Sequence, residues 1–594
     1  MSERSRVAAL VVLVSLLSTS AHCQEREGEQ PLRGDSSEGL IDQSGTVEGQ
    51  EEYDLGPLAA ETGGDEYSLR MRTRVRFGLE PLRATREGLY PGSPAGTYER
   101  VELDRNGGIK GSILTAKDPG EARMADFLSG YAELNNAGPF STILLGDYFI
   151  ESGQGLALWR GLEYGKGPDV LKPGRRKGRG IIHAATTNEQ AFLSGGAAAI
   201  RWNRLSAEAF VSRRHLSGTL DERGYVTSLY TTGLFRTDAE GAKRGILRED
   251  LAGLSASVLL GERSNAGLTM VKTRFSHPLS LAGGTGLEGD GGTIVSANCQ
   301  VALPGTVVFG EWMPGRSPAM TAGALLTPSA GIDLLALFRR YPAHQAGLHA
   351  LGFGEGSGTS GEEGMYFGFT LRVAPWVHFG SFYDQFELSG GTSAGSLPRR
   401  GREVFTRLAL SFTPDCRCLL QYQRKTLEMK RLTSYGGGLV RALTNEESAH
   451  RFRFHIELGS PHEFRFRGRI EKVFIENTAG SPHEEGVIAY QDLASAEGRA
   501  LSASVRIIFF RTGSYESRLS ESEEGLSGAA SVPALFGEGE RWYFLLNTRV
   551  STHLEATMKY SRLTRDDLRH LGSGPDLLPG NEDDRIALGV DLRF

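Results

Sequence analysis

The stretch RIALGVDLRF, residues 585–594, decides the fold. Ile586, Leu588, Val590, Leu592 and Phe594 fall on one side of an extended chain, and Ala587, Gly589, Asp591 and Arg593 fall on the other. Period two over such a run is a strand with one apolar and one polar face. One strand of this kind fits the edge of any sheet, so its meaning depends on how often the pattern returns.

It returns along the whole body. Leu69, Met71, Val75, Phe77 and Leu79 share a face with Thr73, against Arg70, Arg72, Arg74 and Arg76. Phe452, Phe454, Ile456 and Leu458 oppose Arg451, Arg453, His455 and Glu457. Phe464, Phe466 and Ile470 oppose Glu463, Arg465, Arg467 and Arg469, and Trp542, Phe544, Leu546 and Val550 oppose Tyr543, Asn547 and Arg549. About two dozen candidate strands fill the body with no persuasive helix among them. A soluble chain of this length ordinarily divides into domains, often mixed with helices. A closed barrel needs no second layer, because its apolar face meets lipid and its polar face meets the lumen.

The connections point the same way. In the C-terminal half, short turns at Ala374-Pro375, Thr413-Pro414-Asp415, Gly459-Ser460-Pro461, Ala496-Glu497-Gly498 and Ser551-Thr552 alternate with long polar loops. Those loops lie near 342–363, 388–401, 427–448, 475–485, 511–540 and 565–583. The expected fold is all-β: a large transmembrane antiparallel barrel of about 24 strands, within a range of about 20 to 26 and even in number. Its short turns and both termini face the periplasm, and the loops at 342–363 and 511–540 face outward. Barrel-assembly machinery and outer-membrane lipid are the expected partners, with the 586–594 face as the assembly signal.

The N-terminal region has a different composition. Arg4 and Arg6 precede an apolar run from Val7 to Val14, and Ala21-His22-Cys23 places small residues for cleavage before Gln24. Residues 1–23 therefore read as a signal peptide. Lipidation at Cys23 is disfavoured by His22 beside it. Residues 24–66 carry thirteen acidic and two basic residues, a formal −11, and few aromatics. Such a segment is an acidic, disordered periplasmic linker, able to bind a periplasmic partner. Arg33-Gly34-Asp35 within it is a chance tripeptide. Residues 67–594 form the barrel and carry a mild positive excess, which does not suggest a nucleic-acid binder.

Motifs for chemistry are sparse. Gly356-x-Gly358-x-x-Gly361 lies in a glycine-rich loop and opens no helix, so it lacks the geometry for phosphate binding. His344, His349, Glu355, Glu362 and Glu363 share one long loop, where solvation competes with metal binding. Cys299, Cys416 and Cys418 lack zinc spacing, and the last two read as small buried residues rather than a strained bridge. We expect no catalytic set, no cofactor and no resident metal.

The segment LLGDYFIESGQGLALWRG, residues 144–161, reads as a strand bulged at Gly146. Asp147 then points to the lumen or rim, Gly153-Gln154-Gly155 turns, and Trp159 lies near a membrane interface. Asp147 either pairs with a lumenal arginine or joins Gln154 in a solute contact.

With AKDPGE (116–121), TTNEQAFLSGGAA (186–198), TTGLFRT (231–237), ALFRRY (336–341), GFGEGSG (352–358), IAYQDL (488–493) and SYESRL (514–519), this segment resembles a family of Gram-negative outer-membrane barrels. Many members carry N-terminal helix-hairpin-helix repeats of the DNA-uptake type. The resemblance implies a barrel in the outer membrane. The acidic linker stands where the repeats would be, so the sequence departs from the family's pattern in the part that implies a DNA-linked role.

The remaining constellation is basic. Arg70, Arg72, Arg74, Arg76, Arg451, Arg453, Arg465, Arg467, Arg469, Arg506 and Arg549 are expected to line the lumen with Asp147 and Gln154. Ion pairing would make them wall struts; unpaired, they would line a path for anions. A channel or uptake pore for anionic solutes, gated by the linker, is the leading expectation. A structural or partner-binding barrel, a DNA-uptake-associated barrel and a barrel hydrolase are the alternatives.

Overall fold

The computed structural model describes residues 67–594 except 160–164, 190, 282–288, 316, 344–346, 356–358, 390–396, 436–438, 461–462, 478–482, 497 and 530. The expected signal peptide and linker, and the expectations for His344, Gly356 and Gly358, lie outside the described residues.

The period-two segments form 24 antiparallel strands that close into one barrel. Closure is made by the first and last strands. Ser68–Gly78 pairs with its sequence neighbour Gly96–Arg105 on one edge and with Glu582–Arg593 on the other, in a register that sets Arg72 opposite Asp591 and Val75 opposite Leu588. No edge is left with unpaired backbone groups, which hydrocarbon would not tolerate.

Antiparallel closure puts successive connections on alternate ends. The turns at 106–108, 138–139, 203–204, 304–305, 330–331, 375–376 and 414–415 share one end with Ser68 and Phe594. The longer connections share the other, over the whole barrel and not only its C-terminal half, but the stretch 427–448, expected as a loop, belongs to the paired strands Cys416–Tyr435 and Leu439–Leu458. The outward face carries exposed Ile113, Leu145, Val211, Leu254, Leu268, Phe367, Phe452, Phe509 and Leu588. An apolar band around the full circumference is stable only against lipid. Trp202, Trp376, Phe412, Phe464 and Phe594 are exposed near the short turns, where amphipathic rings favour a membrane interface.

The interior is not an empty pore. Among the described residues, three connections from the long-loop end have parts that fold into it, within 152–179, 342–361 and 513–537. Leu156, Leu158, Val170, Leu351, Phe353, Leu519 and Leu535 on these segments are buried against inward-facing wall residues. The loops at 342–363 and 511–540 start from the long-loop end and fold back into the lumen, because apolar side chains within those polar-looking loops have a wall of matching apolar residues to cover. Along Arg465–Asn477, Arg465, Arg467 and Arg469 are only partly buried while Glu471, Val473 and Ile475 are buried. Gly401, Glu403 and Phe405 are buried on Arg399–Thr413, while Arg407, Ala409 and Ser411 are not. The filling is densest in the long-loop half; toward the short turns it thins into a vestibule, into which segment 513–537 still reaches as far as Arg465 and Arg70.

Gly146 explains how one segment enters. Its φ of +105° suits glycine, and a Cβ there would sit 2.2 Å from the Gly130 carbonyl oxygen. Beyond it alternation stops, and Asp147 through Glu151 are all buried. Asp147 Oδ2 accepts from Ser129 Oγ at 2.7 Å and from the Gly130 amide at 3.0 Å. It fastens the bulge to the preceding strand, Phe127–Ala137, and among the described residues no arginine pairs with it. Trp159 is also corrected: it is buried inside under the Arg176 guanidinium, with its amide donating to the His349 carbonyl, away from any membrane interface. Cys416 and Cys418 are free thiols, half-buried rather than buried.

Candidate functional site

Strand parity turns the arginines inward, and closure gathers them. Arg407, Arg453, Arg465, Arg467, Arg469, Arg506, Arg541 and Lys559 lie on the strands from Arg399–Thr413 to Leu554–Arg565. The seam then brings Arg70, Arg72 and Arg74 beside them. The result is a basic arc over one side of the lumenal wall.

The wall supplies some of the counter-charge. Asp492 accepts from Arg467 at 2.8 Å and from Arg506 at 2.9 Å. Glu471 holds Arg453, and Asp591 holds Arg70 at 3.1 Å and Arg72 at 2.9 Å. The rest comes from the inward segment 513–537. Glu521 pairs with Arg469 and, at 3.5 Å, with Arg506. Glu523 pairs with Arg541 at 2.5 Å and Lys559 at 2.9 Å. Glu524 pairs with Arg467 and, at 3.0 Å, with Arg465. Beyond them, the Ser527 hydroxyl accepts from Arg72 at 3.2 Å and its carbonyl from Arg74 at 2.5 Å. Burial would raise the Glu523 carboxyl, but Arg541 and Lys559 overcome it and hold the group down to about 2. Tyr490 and Tyr543 lie beneath the cations, with Arg506 4.4 Å from the Tyr490 ring and Lys559 Nζ 4.5 Å from the Tyr543 ring.

The other two inward segments are held by struts. Glu311 accepts the amides of Gln154 at 2.6 Å and Leu156 at 3.1 Å. Gln154 clips the Arg176 backbone, accepting its amide at 3.0 Å and donating to its carbonyl at 3.1 Å. Its contacts are internal, so the expectation of a solute contact at Gln154 has no support in this geometry. Lys166 is buried among Glu355, Asp384 and Glu403. His349 meets Glu249 at 3.0 Å, and Glu362 pairs with Arg339 at 2.5 Å. Among the described residues no His/Cys/Asp/Glu group has metal-holding geometry.

The residues expected to line the lumen thus separate. Arg70, Arg72, Arg74, Arg453, Arg465, Arg467, Arg469 and Arg506 join the arc, and Arg451 lies on the same lumenal face two residues from Arg453. Arg76 sits exposed at the long-loop rim, paired with Asp118 at 2.6 Å, and Arg549 is exposed at the short-turn rim. Arg541 and Lys559 were missed. Extending the 542–550 alternation by one residue would have found Arg541. Glu521, Glu523 and Glu524 form an acidic run, but sequence periodicity gives no sign that a loop turns inward.

No family model matches the chain, and no curated protein matches it. Among solved structures, it is similar to the ferric enterobactin receptor PfeA of Pseudomonas aeruginosa, at TM-score 0.44 and 9% identity over 90% of this chain and 82% of that one. The siderophore receptor PirA from Acinetobacter baumannii gives TM-score 0.41 and 8% identity over 89% and 81%. OmpT of Vibrio cholerae, described as outer-membrane expressed, gives TM-score 0.29 and 8% identity over 67% and 100%. At such values the barrel is described by its own strand pairing.

Proposed function

We propose that this chain is an outer-membrane uptake barrel for anionic solutes, closed in the described state by its own inward segments. The observation that carries the reading is the basic arc facing the vestibule, with cations from many strands and few wall carboxylates to balance them. Charged rings of this kind select ions of opposite sign. A barrel of this strand number also encloses more volume than wall side chains fill, so it must hold water or a plug. Here inward segments fill the long-loop half most densely, and segment 513–537 extends along the basic arc into the vestibule. The expected signal peptide and the apolar outer band support export and insertion, with the short turns and both termini on the periplasmic side.

The test is conductance and solute flux of the full-length protein in planar bilayers and liposomes. Openings with reversal potentials favouring anions are expected, shifting toward cations in Arg465→Gln/Arg467→Gln/Arg469→Gln. No conductance and no flux under any voltage, salt or variant would overturn the reading. The filled lumen would then fit a structural envelope barrel.

A further inference from the structure

Glu521, Glu523 and Glu524 occupy the arc as a ligand would. Three carboxylates of one short segment meet six wall cations: Arg465, Arg467, Arg469, Arg506, Arg541 and Lys559. The ion pairs of Arg469, Arg541 and Lys559 run to this segment. Yet the segment is tethered at both ends and comes from the long-loop side. Near the vestibule the described contacts of its side chains with the wall are mainly these ion pairs, and its buried apolar side chains include Leu519, Leu526 and Leu535.

We infer that the basic arc is a binding site for a multivalent anion, a polyphosphate or polycarboxylate of three or more charges, and that residues 521–524 are its built-in competitor. The inference rests on the uptake reading above and names its ligand class and its gate. The physical reason is an exchange. Withdrawal of the segment alone would strand buried cations, and breaking a buried pair from one side is strongly unfavourable. An incoming anion that replaces the three carboxylates leaves no cation stranded. Displacement is then near neutral for a polyanion and unfavourable for water, a neutral solute or a monovalent ion. The arc therefore opens selectively to the class of molecule it holds. Arginine guanidiniums suit phosphate and carboxylate oxygens alike through paired N–H donors.

The contact with Ser527 extends the same logic to the seam. Its hydroxyl and carbonyl take donors from Arg70, Arg72 and Arg74. Displacing 521–524 loosens this contact as well, so binding is felt across the closure.

The probe is inorganic tripolyphosphate, titrated calorimetrically into full-length protein in detergent at low ionic strength. Glu521→Gln/Glu523→Gln/Glu524→Gln removes the competitor and should bind it about tenfold tighter than the unmodified chain, as expected when a competing state holds most of the population. Arg465→Gln/Arg467→Gln/Arg469→Gln should lose most binding. A second measurement keeps all charges: a spin label on Ser522→Cys, an exposed position within the segment, with Cys299, Cys416 and Cys418 changed to Ser. Tripolyphosphate should mobilise the label, and sodium chloride at equal ionic strength should not. A folded Gln variant that binds no tighter overturns the inference, as does a label that stays immobile at saturating probe. If the Gln variant does not fold, the label decides alone. Binding without flux removes the uptake reading and leaves the site; flux with unchanged binding removes the site and leaves the uptake reading.

Discussion

Arg72 Nε donates to Asp591 Oδ1 at 2.9 Å across 519 residues of sequence. Both side chains are nearly fully buried. They face the lumen on the two strands whose pairing closes the barrel. Asp591→Ala should destabilise the closed barrel by about 3 kcal/mol, the usual loss when one member of a buried pair is removed. Urea unfolding of the refolded protein measures it. A midpoint equal to that of the unmodified chain would show that backbone pairing alone holds the seam.

Phe594 is exposed on the lipid-facing side, and its ring stacks on His553 at 5.8 Å. Its amide donates to the Leu69 carbonyl at 2.8 Å. Phe594→Ala should lower the folded yield several-fold in cells if the terminal strand is the assembly signal, whereas Ala587→Ser on the lumenal face should not. Heat-modifiable gel migration reads both. Equal yields would remove the signal role.

At Gly146 a β-carbon would collide with the Gly130 carbonyl and the Tyr131 Cα, the latter at 2.8 Å. Backbone strain of this kind amounts to about 1–3 kcal/mol, before the collision is counted. Gly146→Val should release segment 152–179 from the lumen, freeing Arg176, which is half-buried over the Trp159 ring, for trypsin. Cleavage there at the rate of the unmodified chain would count against the bulge as the entry hinge.

The docked segment 513–537 should resist acid. Burial raises Glu523, yet its two cations hold it down to about 2. A depressed carboxylate contributes docking stability that is complete above its ordinary value of about 4.3 and fades as pH falls toward about 2. Arg467 likewise keeps Glu524 low against burial. For Glu521, burial outweighs Arg469 and Arg506 and raises the group, so it adds no docking stability that acid would remove. A spin label at Ser522→Cys should therefore stay immobile from pH 7 to pH 5 and loosen below pH 4. Loosening near pH 6 would contradict the pairing.

Deleting residues 24–66 tests the linker. The formal −11 of that region joins the barrel at the short-turn end, where the vestibule is basic. Conductance at low salt should rise on deletion and change little at high salt, because the Debye length shrinks from about 30 Å at 0.01 M to about 3 Å at 1 M. An equal change at both salts would rule out electrostatic gating.

Local alternation along the chain was enough to define the wall. The pattern of Leu69 to Leu79 and of Ile586 to Phe594 dictates which side of each strand meets lipid, because a one-residue slip would turn every arginine outward. It also yields the strand number closely and the inward side of Arg465, Arg467 and Arg469, since these follow from period and loop rhythm. The contents of the lumen emerge only from the folded chain. Leu519 and Leu535 are too few and too scattered in a polar loop to announce burial, and they pack because the wall offers Ile488, Ile508 and Phe510 opposite. The seam that sets Arg72 against Asp591 likewise has no local signature. Pairing between the two ends of a chain is a property of closure, and periodicity within one strand carries no information about its distant partner.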